Sequence, residues 1–406
     1  MFIDNKTAFE LIETYGSPLY VYDETILRER CNEIKNLLPG LNLTINYSVK
    51  ANSNLHLLKI ILDEGLDVDA LSPGEIYIEE LAGFTPDRIL YISNNISAEE
   101  MKYVIERGIL LSVDSLSQLE LFGKINPGGK IVVRLNPGSF GVGHHEKVVT
   151  AGANTKFGVQ AEFADEVKAI VKKYDLKLVG INQHLGSLFL DEDKYIDGAK
   201  ALLGIIKKEF PGLEFIDFGG GFGVPYKKEE NRLDMKAMTE KFSAVLKDFI
   251  SEYDNKDIVF RIEPGRYIAA ECGILLGQVY SVKENHNKTY IGTDLGMNIL
   301  VRPSMYDSYH GIEVFSKKEP SGLTKQVTVV GNICETGDIL AKDRLLPEIH
   351  EGDILGVLNA GAYGHVMSSN YNWRLRPAEV LITKNGEHRL IRKRDSIEDL
   401  ASHYLV

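Results

Sequence analysis

Cysteine is scarce in this chain: three residues, Cys31, Cys272 and Cys334, are scattered through 406. No Cys-x-x-Cys pair occurs, and an odd, dispersed set supports neither a disulfide framework nor a zinc site. A reducing, cytoplasmic compartment is the expectation. A basic cluster is also lacking. The formal net charge is -12, and no Lys/Arg-rich arm is present to meet a phosphate backbone, so no nucleic-acid partner is expected. No apolar run reaches bilayer-spanning length, and Met1-Phe2-Ile3-Asp4-Asn5-Lys6 lacks the basic-then-apolar pattern of a secretory leader. Neither membrane insertion nor secretion is expected. Internal repeats and low-complexity tracts are missing too. What remains, with 44% hydrophobic and 26% charged residues, is an ordinary globular composition, long enough for one large domain and a smaller one.

The most informative stretch runs from Leu43 to Asn52. Leu43-Thr44-Ile45-Asn46-Tyr47-Ser48 alternates apolar and polar residues as a strand does, and the small and polar residues after it read as a strand end. Lys50 therefore stands at a strand's C-terminal tip. By itself such a lysine is an ordinary solvated residue. At the mouth of a barrel, a desolvated lysine loses its proton and attacks carbonyls.

A rhythm of strands and helices follows. Strand-like runs fall at Leu43–Ser48, Leu66–Leu71, Arg88–Ile92, Ile109–Val113, Ile131–Leu135, Leu178–Gln183, Leu213–Phe218 and Asp257–Ile262. Helical segments such as Glu75–Ala82, Ser115–Phe122 and Lys236–Glu252 lie between them. Eight such units predict a (β/α)₈ barrel of TIM type over residues 35–275, with a doubly wound sheet as the competing architecture. Beyond residue 275 strands continue without helices, predicting an all-β C-terminal domain, a sandwich or barrel, over 276–406. The N-terminal segment, 1–34, is expected to pack with that β domain.

Catalytic residues of barrel enzymes collect at the strand C-termini. Here those tips carry Lys50; Asp69 and Ser72; Arg134-Leu135-Asn136-Pro137-Gly138; His184-Leu185-Gly186-Ser187; Gly219-Gly220-Gly221-Phe222-Gly223; and Glu263-Pro264-Gly265-Arg266. Three successive glycines after the seventh strand let backbone N–H groups crowd onto an anion, and barrels commonly place a phosphate in the loops after strands 7 and 8. A lysine able to form a Schiff base, a phosphate cradle and a carboxylate at one mouth describe a pyridoxal 5'-phosphate site. Glu263 is the natural partner of the pyridine nitrogen, and His184 is placed to stack on the ring. The adjacent His144 and His145 are not read as a metal site, since neighbouring histidines rarely face one ion.

At this point the motifs carry a resemblance. Tyr-Ser-Val-Lys-Ala-Asn at 47–52, His-Leu-Gly-Ser at 184–187, Gly-Gly-Gly-Phe-Gly at 219–223 and Glu-Pro-Gly-Arg at 263–266 resemble the barrel-type pyridoxal phosphate decarboxylases of alanine racemase-like fold. Asp294-Leu295-Gly296-Met297-Asn298, Arg302-Pro303-Ser304-Met305-Tyr306, Cys334-Glu335-Thr336-Gly337-Asp338 and Ala360-Gly361-Ala362-Tyr363-Gly364 are similar to the diaminopimelate branch of that family. The likeness runs in register from about residue 15 to 395.

The resemblance implies roles. Lys50 would hold the cofactor, His184 would stack on it and Glu263 would pair with its ring nitrogen. Asp69 joins the cofactor set. Ser187, the amides near Gly220 and Gly221, and Gly265 with Arg266 would surround the phosphate, and Tyr363 would close over it. Arg266, Arg302, Tyr306 and Tyr363 would contact the substrate, with Glu335 taking its distal ammonium and Cys334 donating the proton that replaces carbon dioxide. The family builds its sites across a homodimer, in which the neighbouring chain supplies Cys334 and Glu335. Arg302 offers a planar fork for a distal carboxylate. Ornithine or lysine would leave it unpaired, a discrimination on the order of a hundredfold or more. The implied reaction is decarboxylation of meso-2,6-diaminopimelate to L-lysine, the last step of lysine biosynthesis. The alternatives are a same-fold decarboxylase of another amino dicarboxylate or diamino acid, and a non-catalytic regulator. Trp373 stands where the family usually has a small residue.

Overall fold

The computed structural model describes residues 2–138, 155–319 and 322–405, which fall into two compact units. One comprises Glu29–Val224 and Asn231–Tyr267; the other comprises Met1–Arg28, Pro225–Glu230 and Ile268–Val406. Strand β1 (Leu19–Asp23) belongs to the latter.

The first unit holds β2 (Leu43–Ser48), β3 (Asp67–Ala70), β4 (Ile89–Ile92), β5 (Leu110–Val113), β6 (Lys130–Asn136), β7 (Val159–Gln160), β8 (Lys177–Asn182), β9 (Phe215–Asp217) and β10 (Val259–Ile262). Every pairing among them is parallel, in the order β5-β4-β3-β2-β10-β9-β8-β6, and a β5–β6 pairing closes the ring. The two-residue β7 extends the end of β6. This is the expected (β/α)₈ barrel. Several ladders are shorter than the apolar runs suggest. Leu213, for instance, gives its amide to the Tyr253 hydroxyl at 2.9 Å and so stays out of β9. Helix starts follow their caps: Ser115 accepts from the Gln118 amide, which makes it the cap of the helix Leu116–Ile125 instead of its first residue.

The second unit is a mixed sheet. Its remaining strands are β11 (Gly273–Asn285), β12 (Lys288–Thr293), β13 (Ile312–Phe315), β14 (Thr324–Val330), β15 (Ile339–Pro347), β16 (Ile354–Val357), β17 (Ala378–Ile382) and β18 (His388–Arg392). The order is β15-β14-β12-β11-β1-β17-β18, with β16 on β11 and β13 on β16. β1 lies between β11, antiparallel, and β17, parallel. Its Leu19 and Val21 enter a core with Ala8, Leu11, Leu276 and Val380. Two strands, β13 and β15, were not expected from the sequence. In β15 a register shift opposite Val327–Val329, with Asp343 at φ 49°, breaks the two-residue period that would have revealed it. Among the described residues beyond 275, two short helices interrupt the strands, Arg302–Tyr306 and Ile397–Ala401. Among the described residues no helix is long and apolar enough to cross a membrane.

One core residue of the barrel unit breaks the usual rule. On the helix Pro73–Ala82, which Ser72 caps and Pro73 opens, Glu79 is fully buried and neither carboxylate oxygen has a hydrogen-bond partner among the described residues. Burial, reinforced by the nearby charges of Asp69 and Glu75, pushes its carboxyl up to about 9. The native protein thus keeps a proton that the unfolded chain releases above pH 4.5, so stability falls as pH rises from about 4.5 to about 9. A Glu79→Leu variant is expected to raise stability by on the order of 2 kcal/mol near neutral pH, more at pH 8 than at pH 6. Urea midpoints at the two pH values check this; an equal or negative shift would contradict it.

Candidate active site

Alternate residues of the barrel strands face its interior. The Ser112 hydroxyl bonds the Asn182 side-chain oxygen at 2.7 Å, joining β5 to β8, two strands that do not pair, and so both point inward. On the same logic Ser48, Asp69, Arg134 and Asp217 form the inner layer at the strands' C-terminal ends, with Glu263 one residue past β10. All are buried. Lys50 sits in the single turn Val49–Ala51 that follows β2, its Nζ 3.8 Å from Asp69 Oδ2. The Ser48 hydroxyl lies 2.7 Å from the same Asp69 oxygen and 3.1 Å from the Glu263 carbonyl.

Three carboxyls in so small a dry volume are costly. Burial raises Asp69, Asp217 and Glu263, and for Glu263 the charges of Asp217 and Asp69 add to it, while Lys50 pulls both Asp69 and Glu263 back down. Arg134 is buried over the Phe157 ring, 4.8 Å from its centre, and the charges of Glu263, Asp114 and Asp217 offset its desolvation. His184 is held neutral, first by burial and then by Arg134 and Lys50. Its Nδ1 accepts the Gly220 amide at 3.2 Å, which fixes the tautomer with any ring proton on Nε2.

The glycine run is built by close approach. A Cβ on Gly220 would lie 2.1 Å from the Glu263 carbonyl oxygen, and Gly221 holds φ 105°, so neither position accepts a side chain without movement. The run is fastened on both sides: Phe189 gives its amide to the Gly221 carbonyl and accepts from the Gly223 amide, each at 2.9 Å. The Asp217 carboxylate accepts the Gly219 amide at 2.8 Å, and the Tyr195 hydroxyl donates to the Gly219 carbonyl at 3.2 Å. Ser187 lies half-buried in the loop after β8, on the strand adjoining this run. Gly265 packs against Ser48 and Ala51, and Arg266 is buried.

In the second unit, Arg302 is buried at the start of the helix Arg302–Tyr306, and Tyr306 is half-buried at its end. Cys334 is exposed; its amide donates to Asn372 Oδ1 and the Asn372 side-chain amide donates to its Sγ, both at 3.2 Å. The exposed Glu335 accepts a short hydrogen bond from the Tyr371 hydroxyl. Tyr363 holds φ 55°. Trp373 is exposed and stacks on Tyr404, with ring centres 5.9 Å apart. Cys31 and Cys272 are buried. His144 and His145 lie outside the described residues.

The family model for the pyridoxal binding domain of the pyridoxal-dependent decarboxylases matches residues 24–270. A diaminopimelate decarboxylase of Methanothermobacter thermautotrophicus is 42% identical over 98% of this chain and 94% of its own length. The chain belongs to the diaminopimelate decarboxylases. Among solved members, one diaminopimelate decarboxylase crystal structure matches with a TM-score of 0.91 at 32% identity, covering 98% of this chain and 96% of that one. The Helicobacter pylori enzyme complexed with L-lysine matches with a TM-score of 0.88 at 32% identity, covering 97% and 98%. This chain is accordingly a pyridoxal phosphate-dependent carboxy-lyase.

The barrel residues suit that cofactor. Glu263 Oε1 is buried and has no hydrogen-bond partner among the described residues, so a cationic ring N–H set against it would supply the missing donor. Two residues of this layer, Ser48 and Asp217, were given no site role from the sequence, and a third, Arg134, was named there only as a strand-tip residue. Ser48 and Asp217 look like routine strand positions until the ring closes. Arg134 carried a signal, a lone arginine within Ile131-Val132-Val133-Arg134-Leu135, a strand otherwise apolar there. Gly220→Ala is expected to lower the melting temperature by several degrees, because its methyl must displace the Glu263 backbone. Thermal unfolding of the variant measures it, and an unchanged midpoint would mean that the loop yields freely.

Proposed function

We propose that this decarboxylase acts on meso-2,6-diaminopimelate, releasing carbon dioxide and L-lysine as the last step of lysine biosynthesis. The observation that carries the reading is the donorless oxygen of Glu263 at the mouth that also holds Lys50, in a chain whose full-length relatives are diaminopimelate decarboxylases. When bound, pyridoxal phosphate supplies the electron sink for the pair left behind by carbon dioxide.

The chain's own residues do the rest. Lys50 presents the amine that would hold the cofactor, its Nζ 3.8 Å from Asp69 Oδ2. Glu263 accepts from the ring nitrogen. The neutral imidazole of His184 covers the ring face without adding charge. The amides around Gly220 and Gly221, with Ser187, Gly265 and Arg266, take the phosphate, and Tyr363 closes over it. Arg302 and Tyr306, with Arg266, bind the substrate's distal carboxylate, and Glu335 its distal ammonium. Cys334 delivers a proton to the α carbon. The working form is a homodimer with Cys334 and Glu335 supplied by the neighbouring chain, in the cytoplasm.

Carbon dioxide release by the cofactor-loaded protein from meso-diaminopimelate, L-lysine, L-ornithine and L-arginine tests the substrate. Fast release from the first alone is expected, and preference for a diamino acid would overturn the assignment. Cys334→Ala should keep bound cofactor and lose turnover by roughly 10²- to 10⁴-fold; unimpaired lysine formation would remove its role as acid. Mixing Lys50→Ala and Cys334→Ala proteins, each inactive alone, should restore activity, and no recovery would remove the shared site.

A further inference from the structure

Resting on the role just given to Arg302, we propose that His310 is the positioning residue that sets which edge of the Arg302 guanidinium meets the substrate's distal carboxylate. After the helix Arg302–Tyr306, Asp307 takes a left-handed conformation, φ 51°, and the chain folds back so that Ser308 and His310 meet the arginine from which the turn began. Arg302 Nε donates to His310 Nε2 at 3.4 Å and Nη2 donates to the Ser308 hydroxyl at 3.3 Å. Arginine, histidine and serine are all buried.

The tautomer of His310 follows from its other nitrogen. Nδ1 lies 2.8 Å from the Leu358 carbonyl oxygen, which only accepts, so Nδ1 carries the proton and Nε2 is the bare acceptor facing Arg302. Leu358 is itself held, its amide donating to the Gly311 carbonyl at 2.9 Å. Tyr226 completes the clamp. Its ring stands edge-on to His310, with centres 5.1 Å apart and planes at 84°, and lies 5.5 Å from the Arg302 guanidinium carbon. The other charged group at His310 is Arg344, whose Nη1 donates to the histidine's backbone carbonyl at 3.3 Å.

Nε and Nη2 share one edge of the planar guanidinium, and here that edge is turned to two neutral acceptors inside the protein. A carboxylate recognised by Arg302 therefore meets its Nη1–Nη2 end. Neither of these two bonds cancels the charge of the fork, as one to a carboxylate in the place of His310 would. Removing the Nε acceptor lets the guanidinium turn, and the loss falls on binding of the distal carboxylate.

The test is steady-state decarboxylation of meso-diaminopimelate by holoenzymes of the wild type, His310→Leu, His310→Gln, His310→Asn and Arg302→Leu, with cofactor content and melting temperature measured for each. His310→Leu should raise KM ~10- to 100-fold, the loss of one hydrogen bond to a charged group, and change kcat by no more than about threefold. His310→Gln, whose amide reaches the position of Nε2, should recover most of the KM. His310→Asn, which replaces only the Nδ1 side, should not. Equal KM values for the glutamine and asparagine variants, or a wild-type KM in His310→Leu while Arg302→Leu raises it, would overturn the positioning role. Loss of kcat and cofactor together, at unchanged KM, would mark His310 as packing alone. An unchanged KM in Arg302→Leu would instead overturn the carboxylate role on which this inference rests.

Discussion

Three carboxyls share the dry upper layer of the barrel, and most of the site can be understood as the response to that cost. Asp69, Asp217 and Glu263 are buried within a ring of eight strands, where desolvation raises all three and the charges of Asp217 and Asp69 push Glu263 up further. Partial relief comes from Lys50 beside Asp69, from the Ser48 hydroxyl and from Arg134, held over Phe157. It is not complete. Asp69, Asp217 and Glu263 each keep one oxygen without a hydrogen-bond partner among the described residues. A protein that folds with such a deficit at its mouth is organised to receive positive charge there, and a protonated pyridine nitrogen brings it.

How much of this was legible depended on whether a residue's meaning is local or set by closure. Lys50, His184, Gly219–Gly221 and Glu263 follow strand ends, and strand ends are visible from hydrophobic runs and turn residues. The eight-unit rhythm and the β-rich C-terminal part were visible for the same reason. Ser48, Arg134 and Asp217 lie within strands or at their ends, and their importance comes from facing inward, which only the closed ring decides. Glu79 could not be read at all: a glutamate in an amphipathic helix looks solvated until its face is known. The bulge at Asp343 hid β15, because one left-handed residue is enough to break a period of two.

The second unit handles charge differently. Arg302 is buried, and an imidazole, a hydroxyl and an aromatic ring are among the partners that orient it. Elsewhere in the same unit, buried or half-buried arginines meet carboxylates, as Arg376 and Arg392 meet Asp395.

The placement of β1 has a consequence for the newly made chain. Leu19–Asp23 is synthesised early, but its neighbours in the sheet are Gly273–Leu276 and Ala378–Ile382, made after the whole barrel. On the ribosome the barrel sequence can form its ring while this apolar strand still has both edges unpaired. A strand made before the barrel is thus completed only by segments made after it, and its β edges stay unprotected until those segments are available.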